Sequence, residues 1–277
     1  MTSEDNAGSI SARVVAPLAR VLVCSFALLA STSLQAVWAQ DPVACAKTDI
    51  GPQSPRDLTK FDPGTNAVKS APAPSADKMN LCNVHFHQFA EHKGTEYSRE
   101  AGKGENKGFY CNGKTSQPKG DGHGTACKPK GAGHGTALAV GDTIEVHWVY
   151  TNCNVKPGPG LGGCVSCPNF QVRVEARVFY LTNDASAATF ADKDGKIALP
   201  AASNPVEYLG STTGSKNYGQ AGNCSPYPVT WNVSQACRPL SITSIADWCA
   251  KENVFKEDHA HGVRPLVKDA KLLSPIR

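Results

Sequence analysis

Eleven cysteines stand in this 277-residue chain, and the compartment it reaches decides what they can become. Residues 1–39 read as an export signal. Arg13 and Arg20 supply a basic start, Val21–Ala30 is an apolar stretch of signal length, and Val37-Trp38-Ala39 forms a cleavage site before Gln40. The apolar run falls short of the ~20 residues a membrane helix needs. An uncleaved anchor is therefore the weaker reading, and no membrane span is expected in the mature chain. The destination is periplasmic or secreted. Cys24 lies inside the signal, which leaves ten cysteines in residues 40–277. An even number in an oxidising compartment is expected to pair as disulfides, with the connectivity open. Cys164-Val165-Ser166-Cys167 together with Cys153 could begin a zinc–thiolate site instead, but no fourth ligand is obvious nearby.

The mature chain reads as mainly β (α+β), a single domain over residues 40–277 built on a large, twisted, mostly antiparallel sheet. Thr143–Tyr150, Gln171–Leu181 and Val229–Val233 are rich in β-branched and aromatic residues. The best helical candidate is a short piece near Ile245–Val254. Residues 102–135 hold ten glycines and six lysines and read as a long surface-loop insertion. Charged residues make up 19% and the net charge is +4, with Lys and Arg scattered, so a nucleic-acid partner has no support.

Eight histidines carry the chemistry. His85-Phe86-His87 sits in an apolar strand-like run, and strand residues two apart share a face, so both imidazoles can reach one ion. His147 lies on a second strand with Glu145 two residues before it on the same face. Three neutral imidazoles with one open position describe a catalytic zinc site, whereas closed four-ligand sites are structural. Glu145 and Asn83 are the candidates to hold ligating rings in one tautomer. Spacing alone does not show that 85, 87 and 147 converge. His92 is an alternative ligand. His123 and His134, in a Gly-His-Gly-Thr-Ala echo, read better as a duplicated flexible loop than as a second metal site. His259 and His261 sit in the charged run Lys256–Gly262 and read as solvated.

The order of the segments resembles the carbonic anhydrases, most closely the delta class, whose active-site segments look like those of the alpha class. Gly51-Pro52-Gln53-Ser54-Pro55 is similar to the Q-S-P opening and Val84-His85-Phe86-His87 to the H-F-H metal strand. Gly94-Thr95-Glu96-Tyr97-Ser98 resembles the G-S-E-H-T segment, and Ile144-Glu145-Val146-His147-Trp148 the E-x-H strand. Val174–Phe179 falls at a core strand, Gly210-Ser211-Thr212-Thr213 at a shortened G-S-L-T-T loop, Val229-Thr230-Trp231 at V-T-W and Arg264-Pro265 at the terminal R-P.

This resemblance implies one zinc per chain on His85, His87 and His147, with cobalt or cadmium able to substitute, and Asn83 and Glu145 behind the ligands. It implies zinc-bound hydroxide attacking carbon dioxide to give bicarbonate and a proton, oriented by Thr212 donating to Glu96. Thr213, Val149, Val229 and Trp231 would line the substrate pocket, Cys45 and Cys224 would form a disulfide, and anions and sulfonamides would inhibit. The alpha pattern's proton-shuttle histidine is missing between Arg56 and Val84. Two rivals remain: a non-catalytic periplasmic metal-binding protein, and a zinc hydrolase. The hydrolase would want a carboxylate base as in H-E-x-x-H, which the sequence lacks.

Overall fold

The computed structural model describes residues 43–46, 49–60, 64–102, 107–113, 127, 138–191, 197–212, 223–263 and 269–276. The export signal, His123, His134, Thr213 and Arg264 lie outside them. The described strands are β1 (Val43–Ala44), β2 (Asn80–Gln88), β3 (Tyr97–Ala101), β4 (Gly108–Cys111), β5 (Thr143–Thr151), β6 (Val172–Thr182), β7 (Val206–Ser211), β8 (Asn223–Cys224) and β9 (Pro228–Ser241). One α-helix, α1 (Ile242–Ala250), follows β9. Among the described residues no helix is long and apolar enough to cross a membrane.

Five strands make the central sheet in the order β2-β5-β6-β9-β7. The β2–β5, β5–β6 and β7–β9 pairs are antiparallel, and only β6–β9 is parallel. The mostly antiparallel sheet expected from the sequence is therefore present, with one parallel seam where β7 and β9 form a hairpin that returns to the sheet beside β6.

Strand alternation divides the sheet into two chemically different faces. On one, Val84 and Phe86 of β2, Ile144, Val146 and Trp148 of β5, and Phe179 and Leu181 of β6 pack with Ile242, Ile245 and Trp248 of α1. The other carries His85, His87, Glu145 and His147, with Val149, Val174, Ala176, Val229 and Trp231 as its apolar part. A helix starts at Ile242 because Ser241, ending β9, accepts a hydrogen bond from Ser244 N–H as its N-cap. It therefore begins and ends earlier than the 245–254 piece expected.

One expectation is corrected here, and the expected disulfides are present. The 102–135 stretch is not loop throughout: β4 lies within it, pairs with β3, and buries Cys111. Glycine richness marked the turns, while Phe109-Tyr110-Cys111 had enough β character to pair. The zinc–thiolate alternative also falls, since Cys164 bonds to Cys82 and Cys167 to Cys153. The remaining links are Cys45–Cys224, Cys111–Cys237 and Cys127–Cys249. Peptide mapping of the non-reduced protein should return these five pairs, and a Cys164–Cys167 peptide would contradict them. Removing a link that closes a long loop should lower the unfolding free energy by about 2–5 kcal/mol in denaturant titration.

Candidate metal centre

The β2–β5 register sets His85 opposite His147, His87 opposite Glu145 and Asn83 opposite Val149. All five polar side chains consequently project from one face. One ring nitrogen from each of His85, His87 and His147 lies within 4.8 Å of the other two. His87 and His147 are buried and His85 is half-buried.

What holds the rings is a set of pure acceptors on their far sides. His85 Nδ1 meets Asn83 Oδ1 at 2.7 Å, His87 Nδ1 meets the Gly262 carbonyl at 3.2 Å, and His147 Nε2 meets Glu145 Oε1 at 3.0 Å. A carbonyl or carboxylate oxygen cannot donate, so each of those ring nitrogens carries the proton. In a neutral imidazole the other nitrogen is then a lone pair. That gives Nε2 of His85, Nε2 of His87 and Nδ1 of His147, and His147 Nδ1 lies 3.3 Å from His85 Nε2. Tetrahedral zinc with Zn–N of about 2.0–2.1 Å needs ligand nitrogens about 3.3–3.4 Å apart. The donor set suits zinc, and the His85–His147 pair already has that spacing, within a group spread over no more than 4.8 Å. Burial drives the His87 pKa down to about 3, outweighing the neighbouring Glu91, so this ring is neutral at ordinary pH.

Glu145 is the hub. Its Oε1 accepts from His147 and from His92 Nδ1 (2.8 Å), and its Oε2 from the Glu91 and His92 backbone N–H groups at 2.6 and 3.2 Å. Burial alone would raise its pKa, but the His92 imidazole and the hydrogen bonds from His147 and His92 overcome it and hold it well below the carboxylate range. His92, weighed as a ligand from its spacing, instead bridges Glu145 and the Tyr208 hydroxyl at 2.8 Å on each side.

Glu96 does not make the contact expected of it. Glu96 is exposed, and its carboxylate accepts from Cys237 N–H. The Thr212 hydroxyl pairs with Ser225 Oγ at 3.0 Å, so the expected Thr212–Glu96 hydrogen bond is not formed. A second carboxylate, Glu91, packs against the histidine group. It is fully buried, its Oε2 lies 3.9 Å from His147 Nε2, and among the described residues neither carboxylate oxygen has a hydrogen-bond donor. Leaving such a group without a donor costs about 1–3 kcal/mol or more. No spacing marks Glu91 over Glu96; what separates them is burial.

The C-terminal histidines also differ from expectation. The 260–262 segment pairs with β2: His261 N–H donates to Phe86 O and Gln88 N–H to His261 O, both at 2.8 Å. His261 accordingly sits 5.5 and 5.8 Å, ring to ring, from His85 and His87, with Nε2 2.8 Å from Glu257. This backbone pairing, which side-chain spacing cannot reveal, also delivers the Gly262 carbonyl to His87. On the opposite flank Trp231 lies 5.2 Å from the His147 ring, stacks on Tyr208, and donates its N–H to Ser211 O at 3.1 Å. Val149 and Val229 are buried in the same apolar cluster.

A family model described as Delta carbonic anhydrase matches residues 76–244, more than half of the chain and every residue of the three-histidine group. The chain belongs to the delta carbonic anhydrase family. No curated protein matches it. Among solved structures it is similar to an alpha-carbonic anhydrase from Thermovibrio ammonificans in complex with the inhibitor sulfanilamide. The identity is 13%, over 78% of this chain and 82% of that one, with a TM-score of 0.24; the placement of this carbonic anhydrase rests on the family match.

The buried His87 makes the metal-free carbonic anhydrase acid-sensitive. The unfolded chain takes up a proton near pH 6.5 while the folded ring waits until about 3, so stability falls as pH drops through that window. The expected slope is at most about 1.4 kcal/mol per pH unit. Urea titrations of metal-free protein between pH 7 and 4 would show it, and His87→Gln should flatten the curve.

Proposed function

We propose that the mature chain, residues 40–277, is an exported enzyme that reversibly hydrates carbon dioxide to bicarbonate and a proton. One zinc would be held by His85 Nε2, His87 Nε2 and His147 Nδ1. The observation that carries this reading is the convergence of three imidazoles whose outer nitrogens are all tied to acceptors. Zinc bound there would supply a nucleophile at neutral pH by lowering the pKa of water to about 7, a value taken from carbonic anhydrase itself. Three neutral ligands leave the metal's full charge in place, whereas carboxylate ligands would cancel part of it.

The protein's own share is orientation and exclusion of water. Asn83, Gly262 and Glu145 keep the rings turned inward. Glu91, taking the part expected of Glu96, accepts a hydrogen bond from a hydroxyl or water and so orients it. Thr213, outside the described residues, is the candidate to line the substrate side. Val149, Val229 and Trp231 offer an uncharged wall that suits a small apolar substrate and gives the anionic product no counter-charge. Anions and aromatic sulfonamides are the inhibitor classes this site should take.

Stopped-flow carbon dioxide hydration on the mature protein, before and after chelation and with zinc counted, tests the reading. Activity should require one zinc per chain; zinc without activity would make the protein a metal binder on this fold. Alanine at His85, His87 or His147 should drop bound zinc well below one per chain, and full occupancy in all three variants would remove the ligand assignment. Glu91→Gln should keep the metal and cut turnover at least tenfold, while Glu96→Gln should leave it unchanged.

A further inference from the structure

Asn83 is almost completely buried, at 1% exposure, and its amide faces two partners at once. Oδ1 accepts from His85 Nδ1 at 2.7 Å, and Nδ2 donates to the Gly158 carbonyl at 3.1 Å. A carboxamide can be turned either way about its last bond. Turned over, it would present N–H to His85 Nδ1, drive the ring proton to Nε2, and block the nitrogen that faces the other two imidazoles. Gly158 O decides between the two orientations, because the turned amide would oppose oxygen to oxygen.

That carbonyl belongs to a loop held from several directions. Cys82 is the extra residue of a bulge between Leu81 and Asn83 in β2. Its carbonyl accepts from Gly158 N–H at 3.0 Å, and its sulfur is bonded to Cys164. Cys153–Cys167 closes the loop at its base. Asn80 Nδ2 donates to Cys153 O at 2.8 Å and Thr151 Oγ1 to Cys164 O at 2.7 Å. Pro157 and Pro159 stiffen the backbone on either side of Gly158. The absence of a side chain at Gly158 is not what matters, since an added Cβ would come no closer than 4.0 Å to Lys156 O.

We infer that the doubly disulfide-stapled loop 152–167 is a positioning element of the metal centre: through Gly158 O and Asn83 it holds His85 in the tautomer that presents Nε2. This rests on the reading of His85 as a ligand, but the tautomer itself can be measured without metal.

Nitrogen-15 NMR of the imidazoles in metal-free protein is the test. Wild type and Gly158→Ala should show His85 protonated at Nδ1. Cys82→Ser/Cys164→Ser should give mixed tautomers and release zinc about 10–100-fold faster. Asn83→Asp in that background should restore the tautomer, because a carboxylate accepts in either orientation. Cys127→Ala/Cys249→Ala removes a link beneath the opposite face and should lower stability with the His85 tautomer unchanged. An unaltered tautomer in the Cys82/Cys164 variant would overturn the inference. So would fast hydrogen exchange of the Asn83 amide in intact wild type, a measurement that stands even if the variant fails to fold. Failure of zinc to bind would refute the ligand reading while leaving the tautomer result intact.

Discussion

The antiparallel register between β2 and β5 is the constraint on which the centre depends. With His85 opposite His147 and His87 opposite Glu145, two strands deliver three imidazoles and a carboxylate to one face. A slip of one residue would carry His85 and His87 to the opposite face, into the space now filled by Phe86 against Phe190 and Trp248. The apolar face therefore stabilises the register, and the register builds the polar face. Packing and site share the same strands for that reason.

Burying so much polarity is tolerable only because nearly every group is paired. Glu145 collects four hydrogen bonds, from two imidazoles and two backbone N–H groups, and carries its charge through them into the sheet. Tyr208 and Trp231 extend this arrangement toward Ser211. Among the described residues the Glu91 carboxylate, Ser70 Oγ and Trp148 Nε1 are buried without a partner. Glu91 is the charged one of the three, and it lies 3.9 Å from the His147 ring.

The disulfides serve the same end by different means. Several tie irregular segments back onto the sheet: Cys45–Cys224 joins β1 to β8, Cys111–Cys237 anchors β4 to β9, and the Cys82–Cys164 and Cys153–Cys167 pair fixes the loop whose carbonyl meets Asn83. A sheet of five strands positions what it contains. Outside it, β4 is held by its pairing with β3 and the Cys111–Cys237 link, and the 152–167 loop by two disulfides and a few hydrogen bonds.

Much of this was legible in the sequence. Period-two alternation in Val84–His87 and Ile144–Trp148 put the three histidines of the candidate centre on strands, because a strand face is a local property of the backbone. The E-x-H and H-x-H spacings put Glu145 and Asn83 on the same strand faces as the candidate ligands for the same reason. Glu91, Gly158 and Gly262 were out of reach in the roles they fill. Two of them act through backbone carbonyls, which every residue possesses and which no spacing can mark. Glu91 stands out because it is buried with no donor among the described residues, and burial follows only from packing. The choice between Glu91 and Glu96, five residues apart, belongs likewise to the tertiary structure. Local alternation determined which side chains share a face, and only the long-range contacts of the folded chain decided which distant atoms meet them.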